Sequence, residues 1–279
     1  MIIDIHAHLM SAAFAPGRHF NLWNAILWRK LGSSNAKEYL AKLTADLDES
    51  PVGKAVLCAV EGSDIAAGNQ EVLELCRQDR RFLYGVNLNP LSPTIHAELE
   101  KAIADGAVLV KLLPSWQGVD LSSPAALPFW KMVAERSLPV LVHTGSEHTF
   151  QGDNRLNNPK LLEHAAELGV TLICAHCGCN MMLHERNYFH EWAELARKHP
   201  NVYGDVSGFS GCVRHYWLNR ILANETLKNK LLFGTDYPSF PYVLRKNQAN
   251  LYKGWMDFYE SKGLGNAFFH RAEEVLNVQ

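Results

Sequence analysis

Two histidines separated by one residue, His6 and His8, lie near the start of the chain in the segment MIIDIHAHLM. Side chains two positions apart on a β-strand point to the same face, so both imidazoles could reach one ion. His143 and Asp236 each end another apolar run, and the four side chains together offer three nitrogens and one carboxylate oxygen. That set suits Zn²⁺ with one coordination position left for water. A bound zinc ion lowers the pKa of water to about 7, which makes hydroxide available at neutral pH.

Two residues of the chain could move protons, because the use of activated water requires a base close to the ion. His176 and Asp236 are the candidates, and Asp236 would then serve both as a ligand and as a base. One histidine or aspartate at the end of an apolar run is common in proteins that bind no metal, and so is an isolated His-x-His pair. The joint pattern favours a metal site, because these residues end separate runs.

The residues that carry this chemistry belong to eight short apolar runs, each bounded by residues typical of turns. The runs are nearly continuous in apolar residues, which is typical of parallel strands covered on both faces. The predicted strands span residues 2–6, 54–60, 83–89, 107–113, 139–145, 170–176, 202–208 and 231–236.

Segments with helical periodicity separate these runs, among them residues 71–82, 97–106, 126–137, 159–169 and 188–200. Repeated strand and helix imply parallel strands joined by right-handed crossovers. Eight strands favour closure into an α/β fold of the (β/α)₈ TIM-barrel type over an open sheet, and 279 residues suit one barrel. Because no Gly/Ser-rich linker interrupts the chain, we predict a single domain over residues 1–279.

Two long segments follow predicted strands, at the end of the barrel where such enzymes place their active sites. They span residues 9–50 and 237–262, and loops of this length usually have a function. We expect substrate specificity to reside there.

Charge and composition restrict the classes of partner. The formal net charge is -2 at pH 7 and no basic patch is evident, which argues against nucleic acid as a partner. No apolar run approaches the length of a membrane span, and the N-terminal segment lacks the pattern of a signal peptide. We therefore expect a cytoplasmic protein that acts on a small molecule and does not bind a membrane. A homo-oligomer is compatible with the sequence.

A cluster of cysteines, Cys174-Ala-His-Cys177-Gly-Cys179, looks like a metal-binding knuckle. However, the chain has no second CxxC pair to complete a four-ligand structural site. Cys174 also lies inside a predicted strand. We therefore interpret these cysteines as packing residues.

Residues that could contact a substrate follow the predicted strands. Trp116 and Gln117 follow the fourth strand, and His148 follows the fifth. Arg18 lies in the first long segment and could bind a substrate carboxylate through two parallel hydrogen bonds. The alternative for His148 and for Arg18 is an ordinary solvated side chain. Further candidates are Glu147 near the fifth strand, Asp205 and Ser207 as partners that orient a ligand, and Arg29 and Arg245 on the long segments.

The motifs DIHAHL, LVHTG, CAHCG and FGTDYP resemble the strand-end motifs of the amidohydrolase superfamily. The branch that the chain resembles most includes aminocarboxymuconate semialdehyde decarboxylase and resorcylate decarboxylase. The likeness extends to VKLLPSWQG (110–118) and GNAFFHRAEEVL (265–276), and so covers nearly the whole chain. It implies a TIM barrel with one metal bound by His6, His8, His143 and Asp236. It also implies that His176 orients or deprotonates the catalytic water.

The resemblance leaves two alternatives for Lys111, which lies in the fourth predicted strand. In binuclear amidohydrolases a lysine on this strand can be carboxylated and bridge two metals, and His143 and His176 would then serve the second ion. In the branch that this chain resembles, the lysine does not usually bridge. Lys111 would then pair with a carboxylate or contact the substrate. The number of metal ions per chain separates the two alternatives.

Three functions are compatible with these residues. The first is a metal-dependent hydrolase, with one Zn²⁺ as the expected cofactor, in which activated water attacks the carbonyl of an amide, lactone or ester. The second is a metal-dependent, non-oxidative decarboxylase of an aromatic or muconate-type carboxylic acid. The third is a non-catalytic metal-binding barrel, against which the presence of both His176 and Asp236 argues. The residues do not separate the first two, because the same metal site serves both and the fold does not decide the function.

Overall fold

The eight predicted strands are all present and form one parallel sheet. The computed structural model describes residues 1–9, 36–59, 64–146, 152–210, 212–237 and 250–278, with side chains from residue 40 in the second range and from residue 213 in the fifth. Each strand pairs in parallel with the next one along the chain, which confirms the predicted TIM barrel. The strands are β1 (Ile2–Leu9), β2 (Val52–Ala59), β3 (Phe82–Asn87), β4 (Leu109–Leu112), β5 (Val140–His143), β6 (Leu172–Ala175), β7 (Val202–Asp205) and β8 (Leu231–Leu232).

Helices alternate with the strands and pack against them. In the described ranges the α-helices are α1 (Ala36–Asp48), α2 (Ile65–Gln78), α3 (Ile95–Ala104), α4 (Pro114–Gln117), α5 (Leu127–Glu135), α6 (Glu163–Glu167), α7 (Phe189–Lys198), α8 (Cys212–Leu222), α9 (Glu225–Lys228), α10 (Leu251–Glu260) and α11 (Asn266–Leu276). None of these helices combines the length and the apolar character that a membrane span requires.

The barrel closes where β1 meets the residues that follow β8. The amide of Asp236 donates to the carbonyl of His6 at 2.7 Å, and the amide of His8 donates to the carbonyl of Tyr237, also at 2.7 Å. We call this pairing of His6 and His8 with Asp236 and Tyr237 the seam. Three of the predicted metal ligands thus contribute backbone bonds to the closure of the barrel, beside the bond from the amide of Ile5 to the carbonyl of Phe233 (3.1 Å).

Strand β1 departs from regular alternation just before the seam. The three residue steps from Asp4 to Ala7 face only two steps along β2. Such a β-bulge changes the direction in which the following side chains point. The Asp4 side chain accordingly binds Tyr252 of α10, whereas the His6 side chain, two residues later, contacts Lys111 of β4.

Apolar side chains fill the interior of the barrel below these polar residues. Leu109 and Leu141 lie two positions before Lys111 and His143 on their strands and therefore share a face with them. The apolar layer thus supports the polar layer at the carboxyl ends of the strands. Its fully buried members include Ile3, Ile5, Val56, Leu109, Leu141, Ile173 and Leu232.

The Asp4 carboxylate holds the seam from the helix side of the sheet. Its Oδ1 accepts from the amides of His6 (3.1 Å) and Thr235 (3.0 Å), and its Oδ2 accepts from the Thr235 hydroxyl (2.6 Å) and the Tyr252 hydroxyl (2.9 Å). Burial raises the pKa of Asp4 to about 6 in spite of these four bonds. Burial of a carboxylate is costly, and the four hydrogen bonds of Asp4 join β1 to Thr235 and to α10. We infer that Asp4 fixes β1 in place at the seam.

We expect Asp4→Ala to lower the free energy of unfolding by at least about 3 kcal/mol, because it leaves four buried donors without an acceptor. Asp64→Ala is the matched control, since Asp64 is an exposed residue that caps α2 by accepting from the amide of Ala67. Loss of such a cap costs about 1 kcal/mol. Urea denaturation of both variants measures the difference, and equal losses would contradict the role of Asp4 at the seam.

Candidate metal centre

Three of the four predicted metal ligands converge at the seam. The Nε2 atoms of His6 and His8 are 3.2 Å apart, and Oδ1 of Asp236 lies 3.4 Å from the first and 3.2 Å from the second. Both histidines are buried, and 14% of the Asp236 side chain is exposed. Within the described ranges, these three residues form a group that could hold a metal ion.

The path of the chain after β8 brings Asp236 to this position. Asp236 has a φ of 59°, in the left-handed region that residues other than glycine rarely adopt. Gly234 lies so close to β1 that a Cβ there would be 3.1 Å from the Cβ of His6. The close approach thus favours glycine at position 234. Such strained conformations persist where the surrounding structure fixes them, and they cluster at functional sites.

Asp205, at the end of β7, fixes the tautomer of His6. Its Oδ2 lies 2.7 Å from His6 Nδ1, so Nδ1 carries the hydrogen and Nε2 carries the lone pair. The Lys111 ammonium, 3.0 Å from the same Nε2, can only donate and so agrees with this tautomer. Burial alone would raise the pKa of Asp205, but the neighbouring His6 imidazole holds this pKa well below its usual range.

The donor atoms fit a divalent metal ion in both spacing and protonation state. In a tetrahedral zinc site with bonds of roughly 2.0–2.1 Å, neighbouring ligand atoms lie roughly 3.3–3.4 Å apart, close to the separations found here. Metal ligands must also be deprotonated. Burial lowers the pKa of His8, which keeps this imidazole neutral. Burial opposes ionisation of Asp236, but the imidazoles of His6 and His8 hold its pKa well below the usual range.

His176 immediately follows β6 and faces the group of three ligands. Its Nδ1 lies 3.0 Å from the carbonyl oxygen and 2.7 Å from the hydroxyl oxygen of Ser207, so Nδ1 carries the hydrogen. Its Nε2 therefore carries the lone pair and lies 4.0 Å from Oδ2 of Asp236. Burial and, second, the charge of Arg214 lower the pKa of His176 to about 3. At neutral pH its imidazole is therefore unprotonated, and the lone pair of Nε2 faces Asp236.

His143, the fourth predicted ligand, lies beside His176 rather than in the group of three. The two ring centroids are 4.9 Å apart, whereas the His176 centroid is 5.6 Å from that of His6. His143 ends β5 and is buried, and burial lowers its pKa, so its imidazole is neutral. Its role as a ligand stays a prediction.

Lys111 is fully buried inside the barrel and contacts His6 directly. The structure thus places it within the site, as the strand-four position predicts. Its role, either as a bridge between two metals or as a contact for the substrate, also stays a prediction.

The predicted substrate contacts have different outcomes. The side-chain amide of Gln117 joins the ends of β3 and β4. Its Oε1 accepts from the amide of Leu113 (3.2 Å), and its Nε2 donates to the carbonyl of Leu88 (2.9 Å). Trp116 lies beside it in α4 and is half-buried. Contact of either residue with a substrate stays a prediction. His148 and Arg18 lie outside the described residues, as do Glu147, Arg29 and Arg245.

The cysteines of the segment 174–179 are buried free thiols. Burial raises the pKa of each of them, so they stay protonated. The Cys177 thiol donates to the carbonyl of Asp205 at 3.2 Å. These contacts agree with the interpretation that the cysteines pack the structure.

One charged residue of the site was missed from the sequence. Arg214, in α8, is buried, and its charge acts on His143, His176 and Asp236. Burial lowers the pKa of its guanidinium below the usual range. The one available signal was its position shortly after the seventh predicted strand.

Residues 3–252 match the family model described as Amidohydrolase. The chain belongs to the amidohydrolase family. This match covers β1 through the start of α10 and includes every residue discussed at the metal centre. Comparison with curated proteins gives no match.

Solved structures with similar folds include three that this family member matches over nearly their whole length. A TIM-barrel protein from Bordetella bronchiseptica is 17% identical with a TM-score of 0.73, over 99% of this chain and 98% of that one. A Pseudomonas putida protein with the provisional name 2-pyrone-4,6-dicarboxylic acid hydrolase is 19% identical with a TM-score of 0.67, over 99% and 97%. The 5-carboxyvanillate decarboxylase of Sphingomonas paucimobilis is 12% identical with a TM-score of 0.65, over 100% and 99%. These identities support the fold alone.

We expect Asp205→Asn to reduce the affinity for a divalent metal roughly 10- to 100-fold, because the amide no longer holds His6 in the tautomer that presents Nε2. Titration with zinc against a competing chelator measures the change. Asp153→Asn is the matched control, since the Asp153 carboxylate pairs with Arg155 on the surface. Equal zinc affinities of the Asp205 variant and the wild type would show that Asp205 does not act through His6.

Proposed function

We propose that this amidohydrolase is a metal-dependent hydrolase in which activated water attacks a carbonyl carbon of a small molecule, in an amide, lactone or ester. One observation carries the proposal. The group of three ligands lies beside a neutral imidazole, that of His176, whose Nε2 is 4.0 Å from Oδ2 of Asp236. Ligands for an ion and a base for water thus stand side by side.

His6, His8 and Asp236 would hold the ion, which we propose to be Zn²⁺, with His143 as the further predicted ligand. The ion would supply Lewis-acid polarisation of the substrate carbonyl and would make water more acidic. The Asp205 contact keeps His6 in the ligand tautomer.

The protein's own groups account for the movement of protons. The Nε2 atom of His176 accepts a proton, because its Nδ1 hydrogen is already committed to Ser207. The Oδ2 atom of Asp236 is close enough to exchange that proton with Nε2 through a small rearrangement. The buried ammonium of Lys111 adds positive charge where negative charge would develop on the substrate oxygen.

A decarboxylase is the second candidate, because the fold also resembles that of 5-carboxyvanillate decarboxylase. Decarboxylation requires a proton donor for the carbon that loses CO₂. Asp236 and His176 both have lowered pKa values and are unprotonated at neutral pH. Neither therefore carries a proton at neutral pH that it could donate to this carbon, which favours hydrolysis. A non-catalytic barrel that only binds metal would not require His176 and Asp236 as a pair of proton-transfer groups.

We expect turnover of a panel of small lactones, esters and amides in water labelled with ¹⁸O to place one labelled oxygen in each acid product. Chelation of the metal should abolish turnover, and zinc should restore it. His8→Ala and Asp236→Asn should each reduce kcat/KM by more than about 100-fold, beyond the loss typical of an outer-shell partner. Mass spectrometry of the products and steady-state kinetics provide the measurements.

His164→Ala is the control, because His164 is exposed and distant in sequence from every ligand. Aromatic carboxylic acids should be tested in D₂O in parallel. Release of CO₂, with deuterium at the carbon that loses it and no ¹⁸O in the product, would replace the hydrolase by the decarboxylase. Full activity of His8→Ala would contradict both.

A further inference from the structure

Arg214 is a buried cation that makes no ion pair in the described part of the chain, where Asp236, Asp205 and Glu185 act on its charge only from beyond ion-pair distance. Only 5% of Arg214 is exposed. No carboxylate oxygen among the described residues lies within 4.0 Å of its guanidinium, and its buried Nε has no hydrogen-bond partner there. Burial of an unpaired charge costs several kcal/mol in general, so a fold retains such a group when something else binds to it.

The guanidinium lies at the metal centre, against the segment that orients His176. A Cβ at position 208 would lie 2.4 Å from Nη1 of Arg214, so the absence of a side chain at Gly208 makes room for this contact. Gly208 also has a φ of 71°, which favours glycine. The preceding residue, Ser207, is the one that binds Nδ1 of His176. The positive charge is therefore fixed beside the proposed base.

We propose that Arg214 binds a carboxylate group of the substrate, so that the substrates of this enzyme are amides, lactones or esters that also carry a carboxylate. This inference rests on the proposed function in one respect, the type of bond that is hydrolysed. The binding of a carboxylate by Arg214 does not depend on that function. A guanidinium presents parallel N–H donors that match the two oxygens of a carboxylate. The bound anion would neutralise the buried charge and place the substrate next to the three ligands.

The position of the charge has a consequence for specificity. A neutral substrate analogue would leave the guanidinium buried and unpaired in the complex. A site built to bind one polar group strongly rejects an analogue that lacks it. Arg214 would thus select for acids rather than merely strengthen binding.

Isothermal titration calorimetry with unreacted probes tests this proposal independently of turnover. The probes are benzoate, isophthalate and glutarate, each paired with its neutral amide. Wild-type protein should bind at least one acid tighter than its amide by about tenfold or more, the effect of one charge-assisted hydrogen bond. Arg214→Met should remove this preference, and Arg214→Lys, which keeps the charge but not the fork, should weaken it.

Arg220→Met is the matched control, because Arg220 is an exposed arginine of the same helix. The thermal unfolding temperature of each variant separates binding from a structural role. If Arg214 serves the ligand, Arg214→Met should unfold at the same or a higher temperature, since removal of an unpaired buried charge is neutral or stabilising. The preference for the acid should persist after the metal has been removed, because the guanidinium and not the ion supplies it.

Several results would overturn the proposal. They are a wild type that prefers no acid over its amide, a preference that survives in Arg214→Met, and a preference that disappears with the metal. If Arg214→Met does not fold, unchanged acid binding by Arg214→Lys would identify Arg214 as a structural residue. Failure of the protein to hydrolyse any substrate, with the acid preference intact, would instead contradict the proposed hydrolase and leave the anion site in place.

Discussion

The seam between β1 and the residues after β8 is the constraint on which the site depends. A barrel has to close, and here the backbones of His6, His8 and Asp236 take part in two of the closing hydrogen bonds. β1 and β8 are the first and last strands of the sheet, and their meeting brings two imidazoles and a carboxylate together. Closure of the fold and assembly of the ligands are consequently one event, and a protein that has not closed its barrel has no metal site.

Two buried carboxylates fix β1 from its two sides, and the bulge makes this arrangement possible. Asp4 binds backbone amides and hydroxyls on the helix side, whereas Asp205 binds His6 inside the barrel. Without the register shift after Asp4, the side chains of Asp4 and His6 would point to the same face. Lys111 and Arg214 are also buried. Lys111 contacts His6, whereas Arg214 makes no ion pair among the described residues, and we propose that it binds a carboxylate of the substrate.

The sequence predicted the elements of this fold better than its details. The eight strands were identified because doubly covered strands have few polar residues, and His-x-His then fell at a strand end. The start of α2 was predicted at residue 71 and lies at Ile65, where Asp64 provides the cap, because Gly68, Asn69 and Gln70 interrupt the apolar period before residue 71. The bulge in β1 has no signal in residue types. Arg214 was missed because burial without a partner is a property of the tertiary structure, and no local pattern expresses it.

We propose that His6, His8 and Asp236 hold a divalent metal at the seam. X-ray absorption spectroscopy at the zinc edge, on protein loaded with one equivalent of zinc, tests it most directly. We expect nitrogen and oxygen ligands at roughly 2.0–2.1 Å, with outer-shell scattering from at least two imidazoles, of which one is lost in His8→Ala. A sulfur ligand at roughly 2.3 Å, or an unchanged spectrum for His8→Ala, would contradict it, because the metal would then lie elsewhere.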